Sequence, residues 1–381
     1  MSVWPSNTIT LVQIVAAAMK ALVSQPHLLS RISAIALGKG FGSGADYQDV
    51  PKPTISPDEI LVKVRAVALN PTDFKHIDMV SPPGCIIGCD YAGEVAEVGT
   101  NAAGSWAVGD RVAGSVHGGL YPDRGSFAEY LKIDADLAWK VPEGVSDTDA
   151  ATFGVSAATA MLALNVRLGL PWADEYSAEN RDDTGRTNPV IFIYAGSTSA
   201  GLFTIQTAKA AGYTVVTTAS PRSTDLVKSY GADAVFDYNA PNIGDTIAKQ
   251  YPGIAVAVDC FSEGQSFSIC DSALASGGKL ITLLPPAKPK NRAIKHELIM
   301  AYTLFGKPFQ WLAPLGPKFP AVPGDRDALA RFCTTLPGLI NNKTLRPPPT
   351  TVYENGWDGI LEGLDELRAG KVKGTKLVVK L

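Results

Sequence analysis

The sequence has little of what marks a secreted, membrane-spanning or nucleic-acid-binding protein. Its 381 residues include only five cysteines, and this small, odd number argues against a disulfide framework and indicates reduced thiols. It has no block of basic residues, and 34 Lys and Arg against 37 Asp and Glu give a net charge of −3, which disfavours nucleic acid as the main partner. No uninterrupted apolar run approaches the roughly 20 residues needed to span a bilayer. We therefore expect a soluble protein of the cytoplasm that neither crosses a membrane nor binds nucleic acid.

The N-terminal residues 9–19 come nearest to an apolar targeting segment. They are interrupted by Thr10 and Gln13, and the first basic residue, Lys20, follows the apolar stretch. A secretory signal has its positive residues first, so that alternative is the weaker one. We interpret residues 1–18 as an N-terminal extension, with the folded domain beginning at Met19.

The first half of the chain has the pattern of a β-rich domain. Residues 60–69 alternate apolar and polar side chains, as a half-buried strand does, and short strands between glycines are predicted at 93–99 and 110–116. Residues 150–169 are rich in Ala and Leu and predict a buried helix. Residues 171–189 hold seven charged side chains and predict a surface loop.

From residue 190 the pattern changes to apolar strands that alternate with helices. Strands are predicted at 190–195, 213–219, 234–236, 254–259 and 279–284, with helices at 202–212 and 224–231 among them. Such alternation is typical of a parallel sheet covered on both faces. Two helices, at 325–341 and 357–369, and a last strand at 376–380 follow.

A glycine-flanked turn lies between the strand at 190–195 and the next helix. It comprises Gly196, Ser197, Thr198, Ser199, Ala200 and Gly201. Free N–H groups at a helix N-terminus suit a pyrophosphate, and Ser and Thr hydroxyls add donors. Because this turn departs from the strict GxGxxG spacing of a dinucleotide fingerprint, a tight turn without a ligand is the alternative. Its position in a complete βαβ unit favours a dinucleotide site.

The end of the second strand of this unit indicates which dinucleotide binds. An NAD site has an acidic residue there for the ribose 2′-OH, but this chain has Ser220, Pro221, Arg222 and Ser223. Ser220 and Arg222 can hold a 2′-phosphate, and Tyr238 after the third strand can add a hydroxyl. The nearest carboxylate, Asp225, lies on the following helix. The pattern favours NADPH, and the alternative is that Arg222 is only a solvated loop charge.

The chain resembles the medium-chain dehydrogenase/reductase superfamily over nearly all of residues 19–381. The segments that carry the resemblance are LNPTDFK (69–75), GCDYAGEVAEVG (88–99), VGDRVAG (108–114), GSFAEY (125–130), KVPEGVSDTDAATFG (140–154), GSTSAG (196–201), KSYGADAVFDY (228–238), TLFG (303–306) and GKVKGTKLVV (370–379). Among its zinc-free, quinone oxidoreductase-like members, the chain looks most like the fungal trans-acting enoyl reductases of polyketide synthases, of the lovastatin enoyl reductase type.

The resemblance implies an α/β fold of two domains. A GroES-like, β-rich catalytic domain would comprise residues 19–155 and 323–381. A Rossmann domain, a doubly wound parallel sheet that binds NADPH, would be inserted between them at residues 156–322. The chain would thus leave its first domain unfinished and return to it at the end.

The residues that hold zinc in other members of the superfamily are replaced here. Asn70 stands where the first Cys is expected, Cys89-Asp90 replaces a His-Glu pair, and no cysteine lies near residues 153–154. Zinc needs three or four N, S or O ligands, so we expect no metal. A rearranged site at Cys85, Cys89 and His76 is a weaker alternative, because no second CxxC supports it.

Without a Lewis acid, reduction of an activated C=C bond is the favoured chemistry, because the carbonyl oxygen then needs only a few well-placed donors. By resemblance, the LNPTDFK segment faces the nicotinamide, which makes Asn70, Thr72 and Lys75 the candidate catalytic residues; the alternative for Lys75 is an ordinary surface lysine. The cofactor site would also include Pro71, Asp73, Leu283, Leu284, Val372 and Lys373. Asp73 has the alternative role of capping the helix that follows.

The substrate pocket implied by the resemblance would be bordered by Ser156, Thr159, Leu304 and Phe305. The chain departs from the enoyl reductase pattern at Ala157, where a threonine is expected. The leading hypothesis is a monomeric NADPH-dependent enoyl reductase for a polyketide thioester on a synthase carrier domain. A free-standing quinone or enone oxidoreductase, or a non-catalytic NADPH-binding protein, are the alternatives.

Overall fold

The structure is a computed structural model, and it describes residues 17–25, 44–175, 188–285 and 293–381. The predicted N-terminal extension lies outside the described residues except for Ala17 and Ala18. Most of the predicted surface loop at 171–189 also lies outside them.

A seven-stranded sheet forms the centre of the β-rich part, in the order β16-β17-β3-β4-β5-β7, with β6 also paired to β3. Its strands are β3 (Glu59–Ala68), β4 (Asp90–Val98), β5 (Arg111–Ser115), β6 (Tyr130–Asp134), β7 (Ala138–Lys140), β16 (Thr350–Tyr353) and β17 (Lys376–Lys380). In β3, Lys63 and Arg65 are exposed while their neighbours are buried, as the alternation predicted. Strand β17 pairs antiparallel with β3, opposing Val378 to Ala68, so the end of the chain completes the sheet that its beginning started.

A six-stranded sheet with wholly parallel pairing forms the other part, in the order β10-β9-β8-β11-β12-β13. Its strands are β8 (Val190–Tyr194), β9 (Thr214–Ala219), β10 (Ala234–Asp237), β11 (Val256–Asp259), β12 (Lys279–Thr282) and β13 (Lys295–Leu298). The strand order reverses between β8 and β11, and in such sheets ligands bind beyond the carboxyl ends of the strands at this point.

Two short pairs of strands complete the β structure of the described residues. They are β1 (Ala18–Ser24) with β2 (Ala45–Pro51), and β14 (Phe309–Gln310) with β15 (Lys318–Phe319).

The helices cover the two sheets and connect them. They are α1 (Pro71–Lys75), α2 (Asp147–Ala150), α3 (Val155–Met161), α4 (Ser199–Ala210), α5 (Thr224–Ser229), α6 (Ile243–Gln250), α7 (Ser266–Ala273), α8 (Pro323–Asn341) and α9 (Trp357–Arg368). The helical stretch at residues 147–167 is long and apolar enough to cross a membrane, but 78% of its most apolar window is buried inside the protein. It is therefore the core helix that the Ala-rich and Leu-rich segment predicted.

The predicted fold class is confirmed: a GroES-like β-rich part is combined with a Rossmann-type parallel sheet. The boundaries after residues 155 and 322 stay predictions.

Candidate active site

The turn after β8 is shaped by two glycines that no larger residue can replace. A Cβ on Gly196 would lie 2.2 Å from Thr217 Oγ1, and a Cβ on Gly201 would lie 2.4 Å from the carbonyl oxygen of Ala195. Thr198 caps α4, because its Oγ1 accepts a hydrogen bond of 3.0 Å from the Gly201 amide. The remaining first-turn amides of α4, at Ser199 and Ala200, have no intrahelical acceptor and are available to an anion. The turn therefore fits the pyrophosphate of a dinucleotide.

The loop after β9 fits the adenosine end of the same ligand. The parallel register opposes Asp237 to Ala219, which brings Tyr238 after β10 beside Ser220 after β9. Arg222 is exposed in this loop, and the Ser220 hydroxyl lies 3.2 Å from the Ser223 hydroxyl. No carboxylate stands at the end of β9 in residues 217–223.

The β-rich part also contacts the region of the loop after β9. Gly374 lies against the loop after β9, since a Cβ placed on it would be 3.3 Å from Leu226 Cδ2 and 3.9 Å from Ser223 Oγ. The segment before β17, with half-buried Val372 and exposed Lys373, is thereby brought to the predicted cofactor site.

The loop after β11 is fixed by Asp259, which is fully buried. Its carboxylate accepts hydrogen bonds from the Phe261 amide (3.0 Å), the Ser262 amide (2.8 Å) and the Ser266 hydroxyl (2.6 Å). The Ser262 hydroxyl in turn accepts one from the amide of Leu283, which ties the loop after β12 to it. Together these loops border a cavity of about 290 Å³ that Leu284 also lines.

Lys75, in the LNPTDFK segment, contacts a residue that lines this cavity. Its Nζ lies 2.5 Å from Oε1 of Glu263, one of the residues that line the cavity. Helix α1 begins in a capping box in which Asn70 is the N-cap and the Asp73 carboxylate accepts a hydrogen bond of 2.7 Å from the Asn70 backbone amide. Thr72 and Lys75 are three residues apart on α1 and so share one face of the helix. Two of the three predicted catalytic residues, Lys75 at the cavity and Thr72 on the same helix face, therefore lie on the crevice side of α1, whereas Asn70 is buried. Asp73 has the capping role that was its alternative.

A buried polar network lies behind α1. The Lys376 ammonium donates to Asn70 Oδ1 and lies 3.3 Å from Asp90 Oδ2 and 3.5 Å from the Ser156 hydroxyl. The Asn70 amide group also donates to Asp90 Oδ2 (2.9 Å), and the amide of Val155 donates to Asp90 Oδ1 (2.6 Å). Because Asn70 is buried and its side-chain polar atoms are bonded inside the protein, the network positions α1. Thr72 and Lys75 are only half-buried and can contact a ligand.

The side chains of Thr72, Tyr302 and Cys89 form a second set of polar contacts beside this network. The Thr72 hydroxyl is 2.7 Å from the Tyr302 hydroxyl, which is 3.6 Å from Cys89 Sγ. Burial, reinforced by the negative charge of Asp90, raises the pKa of Asp73 to about 7. Burial also raises the pKa of the Cys89 thiol well above its usual value, so this thiol stays protonated near neutral pH.

Aromatic side chains surround Tyr302 on its other sides. His117 stacks on its ring, with centroids 3.9 Å apart, and His76 and Trp311 contact it edge-on. Burial lowers the pKa of His76 to about 4 and that of His117 well below its usual value, so both imidazoles are neutral. Among the predicted substrate residues, Phe305 stacks on His117, whereas Ser156, Thr159 and Leu304 are buried.

Sequence reasoning missed four residues that shape this site: Asp259, Glu263, Tyr302 and Lys376. Asp259 had a usable signal, because it ends a predicted strand of the parallel sheet. Glu263, Tyr302 and Lys376 had no such signal, because each contacts a residue that is distant in the sequence. The assignment of individual catalytic, cofactor and substrate residues stays a prediction.

A zinc ion does not fit the residues at the Asn70–Cys89–Asp90 position. Cys89 is their only thiol, and the ammonium of Lys376 already neutralises the carboxylate of Asp90. Within the described ranges, no group of three or more His, Cys, Asp and Glu side chains could hold a metal ion. The rearranged site at Cys85, Cys89 and His76 is therefore not formed there.

Comparison with known proteins identifies both parts of the fold. Residues 56–143 match the alcohol dehydrogenase GroES-like domain family, and residues 200–304 match the family described as zinc-binding dehydrogenase. Among solved structures, the CurK enoyl reductase has a TM-score of 0.69 at 16% identity, covering 95% of this chain and 99% of its own. A mycobacterial protein complexed with NADPH has a TM-score of 0.70 at 20% identity, covering 95% and 100%. These structures establish the shared fold.

Identity over the full length is higher with fungal proteins. The trans-enoyl reductase caaB of Aspergillus niger is 36% identical over 361 residues, which cover 93% of this chain and 98% of that protein. The resemblance predicted from the sequence motifs is thereby confirmed. This chain belongs to the trans-enoyl reductase family, a group of oxidoreductases within the medium-chain dehydrogenase/reductase superfamily.

Proposed function

We propose that this protein is an NADPH-dependent enoyl reductase that acts in trans on an α,β-unsaturated polyketide thioester held by a synthase carrier domain. The observation that carries the proposal is the Lys75–Glu263 pair, because it holds a cationic donor at the crevice beyond β8 and β11. The similarity to a trans-enoyl reductase of Aspergillus niger supports the substrate class.

A nicotinamide cofactor held in this crevice would supply the hydride that reduces the C=C bond at its β-carbon. As the C=C bond is reduced, negative charge moves onto the thioester oxygen. Lys75 exchanges Glu263 for this oxygen and stabilises the charge, since a donor aimed at developing charge acts mainly in the transition state. Ser156 and Thr159 border the acyl chain, and Leu304 and Phe305 form apolar walls. Asn70 keeps α1 in place through Asp90 and Lys376.

NADPH is the cofactor in this proposal. The turn at residues 196–200 would hold the pyrophosphate, and the 2′-phosphate would be bound by Ser220, Pro221, Arg222, Ser223 and Tyr238. Leu283 and Leu284 would lie toward the nicotinamide, with Pro71 across the crevice, and Val372 and Lys373 would lie near the adenosine.

We also propose that the protein works as a monomer in the cytoplasm. All five cysteines are buried and unpaired, which suits a reducing compartment. Sedimentation equilibrium of the full chain is the direct test of the monomer, and a stable dimer would contradict it.

The function is tested by mixing the purified protein with NADPH and an enoyl thioester of N-acetylcysteamine. We expect NADPH to be consumed and the saturated thioester to form in equal amounts. Consumption with free quinones but not with the thioester would favour a quinone reductase and overturn the proposal. Binding of NADPH without reduction of either substrate would favour a non-catalytic binding protein.

Replacing Lys75 with methionine is expected to lower kcat for the enoyl thioester by about 100-fold, because one donor to the developing oxyanion is lost. The KM for NADPH should change little. Glu263→Gln keeps the lysine and removes only its ground-state partner, so this variant should retain the rate. Lys249→Met, an exposed lysine on α6, serves as the control for loss of a charge. A Lys75→Met enzyme as fast as this control would show that Lys75 has no catalytic role.

A further inference from the structure

The hydroxyls of Thr72 and Tyr302 form a pair at the edge of the crevice. They come from opposite parts of the molecule, since Thr72 lies on α1 of the β-rich part and Tyr302 lies in the turn Ala301–Phe305 that follows β13. Their oxygens are 2.7 Å apart, a normal distance for an O–H···O hydrogen bond. Thr72 is half-buried and shares its helix face with Lys75, whereas Tyr302 is 5% exposed and lies behind it.

The Tyr302 hydroxyl is held in one place by its surroundings. His117 stacks on the ring and His76 packs against its edge, so the ring cannot turn away. On the side of the hydroxyl, Cys89 Sγ is 3.6 Å away. The tyrosine oxygen therefore has Thr72 toward the crevice and the Cys89 thiol toward the interior.

Reduction of an enoyl thioester leaves one requirement that Lys75 does not meet. After hydride addition at the β-carbon, the α-carbon carries an electron pair that must form a C–H bond with a proton. Lys75 is assigned to the oxygen, and the imidazoles of His76 and His117 are neutral and buried. The Thr72–Tyr302 pair is the remaining hydroxyl arrangement beside Lys75 on the crevice face of α1.

We infer that Thr72 and Tyr302 deliver the proton to the α-carbon of the substrate, with Thr72 as the group that touches the carbon and Tyr302 as its proton source. This inference rests on the proposed function. The Thr72 O–H bond breaks as the α C–H bond forms from the electron pair of the former C=C bond. In the same movement Thr72 takes the Tyr302 proton. The negative charge left on the Tyr302 oxygen is cancelled by a proton from water when the product leaves, so one solvent proton is consumed per turnover.

The surroundings of Tyr302 are consistent with a donor that is loaded at neutral pH. Burial, reinforced by Cys89, raises the pKa of Tyr302 well above its usual value. The hydroxyl therefore keeps its proton until an adjacent carbanion, a much stronger base, removes it through Thr72.

The test compares Tyr302→Phe and Thr72→Val with the wild type in H₂O and in D₂O, using NADPH and the enoyl thioester. We expect each variant to lose about 100-fold or more in kcat, as for loss of a positioned general acid, with the KM for NADPH unchanged. In D₂O the wild type should place one deuteron at the α-carbon in a single configuration, and the variants should scramble this configuration. Thr72→Ser keeps the hydroxyl and should restore both the rate and the single configuration.

Two controls keep the inference separate from protein folding and from the proposed function. Tyr213→Phe changes a half-buried tyrosine beside β9 and should leave the rate and the deuterium pattern unchanged. Melting temperatures of all variants reveal any that fail to fold. If Tyr302→Phe does not fold, the rate and deuterium pattern of Thr72→Val test the proton delivery instead. An active wild type whose variants retain its rate and configuration would overturn the inference alone. A wild type that oxidises no NADPH with the thioester would overturn the proposed function and this inference with it.

Discussion

Replacing Lys376 with methionine is expected to destabilise the protein by about 3–5 kcal/mol, because it leaves the buried carboxylate of Asp90 without its counter-charge. The Lys376 side chain is 4% exposed and that of Asp90 is 0% exposed, so water cannot take over the lost interaction. The same change also removes the donor to the side chain of Asn70, the N-cap residue of α1. Urea unfolding followed by circular dichroism measures the loss.

The chain offers a matched control on the same strand. Lys380, four residues further along β17, pairs with Glu354 at 2.7 Å, but the two side chains are 51% and 67% exposed. Lys380→Met should therefore cost less than about 1 kcal/mol, as exposed ion pairs do. The double variant Lys376→Met with Asp90→Asn removes the unpaired charge and should recover part of the stability. Equal stability of the Lys376→Met and Lys380→Met variants would contradict the prediction.

The loss in Lys376→Met should also depend on pH. Burial raises the pKa of Asp90 above its usual value even though Lys376 opposes this shift. A carboxyl whose pKa is higher in the folded than in the unfolded state binds its proton more tightly when folded, so stability falls as pH rises above the unfolded value of 3.8. Removing the ammonium raises the folded-state pKa further. The loss in free energy of unfolding caused by Lys376→Met should therefore be larger at about pH 8 than at about pH 5. A loss that does not change with pH would point to lost packing instead.

The Lys376 network shows why part of the site was beyond reach of the sequence. Lys376 meets Asp90 across 286 positions, and Tyr302 meets Thr72 across 230, so no local pattern links either pair. The final strand at 376–380 was predicted correctly from its apolar run, yet its first residue carries the buried charge. The turn at residues 196–201, in contrast, was predictable as a strand-to-helix turn, because its glycines and its helix cap lie within six consecutive residues.

The fold was predictable for the same reason. Five of the six parallel strands of the Rossmann-type sheet contain short apolar runs and lie where they were predicted, with boundaries shifted by one or two positions. The sixth, β13, has the sequence KHEL and was not predicted. The helix at 150–169 was predicted as one piece, but it is divided at Gly154, whose ψ of −113° lies outside the helical range. Only glycine fits there, because a Cβ would lie 2.1 Å from Asp90 Oδ1. That break allows the Val155 amide to donate to Asp90, and no property of the helical segment alone indicates it.

Replacing Arg222 with alanine is expected to raise the KM for NADPH by about 10- to 100-fold while leaving the KM for NADH nearly unchanged. The guanidinium is exposed in the loop after β9 and can make charge-assisted hydrogen bonds to a 2′-phosphate, each of about 1.5–3 kcal/mol, and every 1.4 kcal/mol is about tenfold in affinity. NADH has no 2′-phosphate and loses nothing. Steady-state kinetics with both cofactors measure the ratio.

Adding Ser220→Asp to Arg222→Ala should reverse the preference toward NADH. An aspartate at the end of β9 can accept from the ribose 2′-OH, and it repels a 2′-phosphate at the same place. Lys228→Met, an exposed lysine on α5, controls for a general loss of positive charge near this corner and should change neither KM. If Arg222→Ala raised both KM values equally, the loop would hold the cofactor without reading its 2′ position. If Arg222→Ala changed neither KM value, Arg222 would be an ordinary solvated loop charge, as the alternative interpretation holds. Lys373, next to Gly374, would then be the candidate for binding the 2′-phosphate.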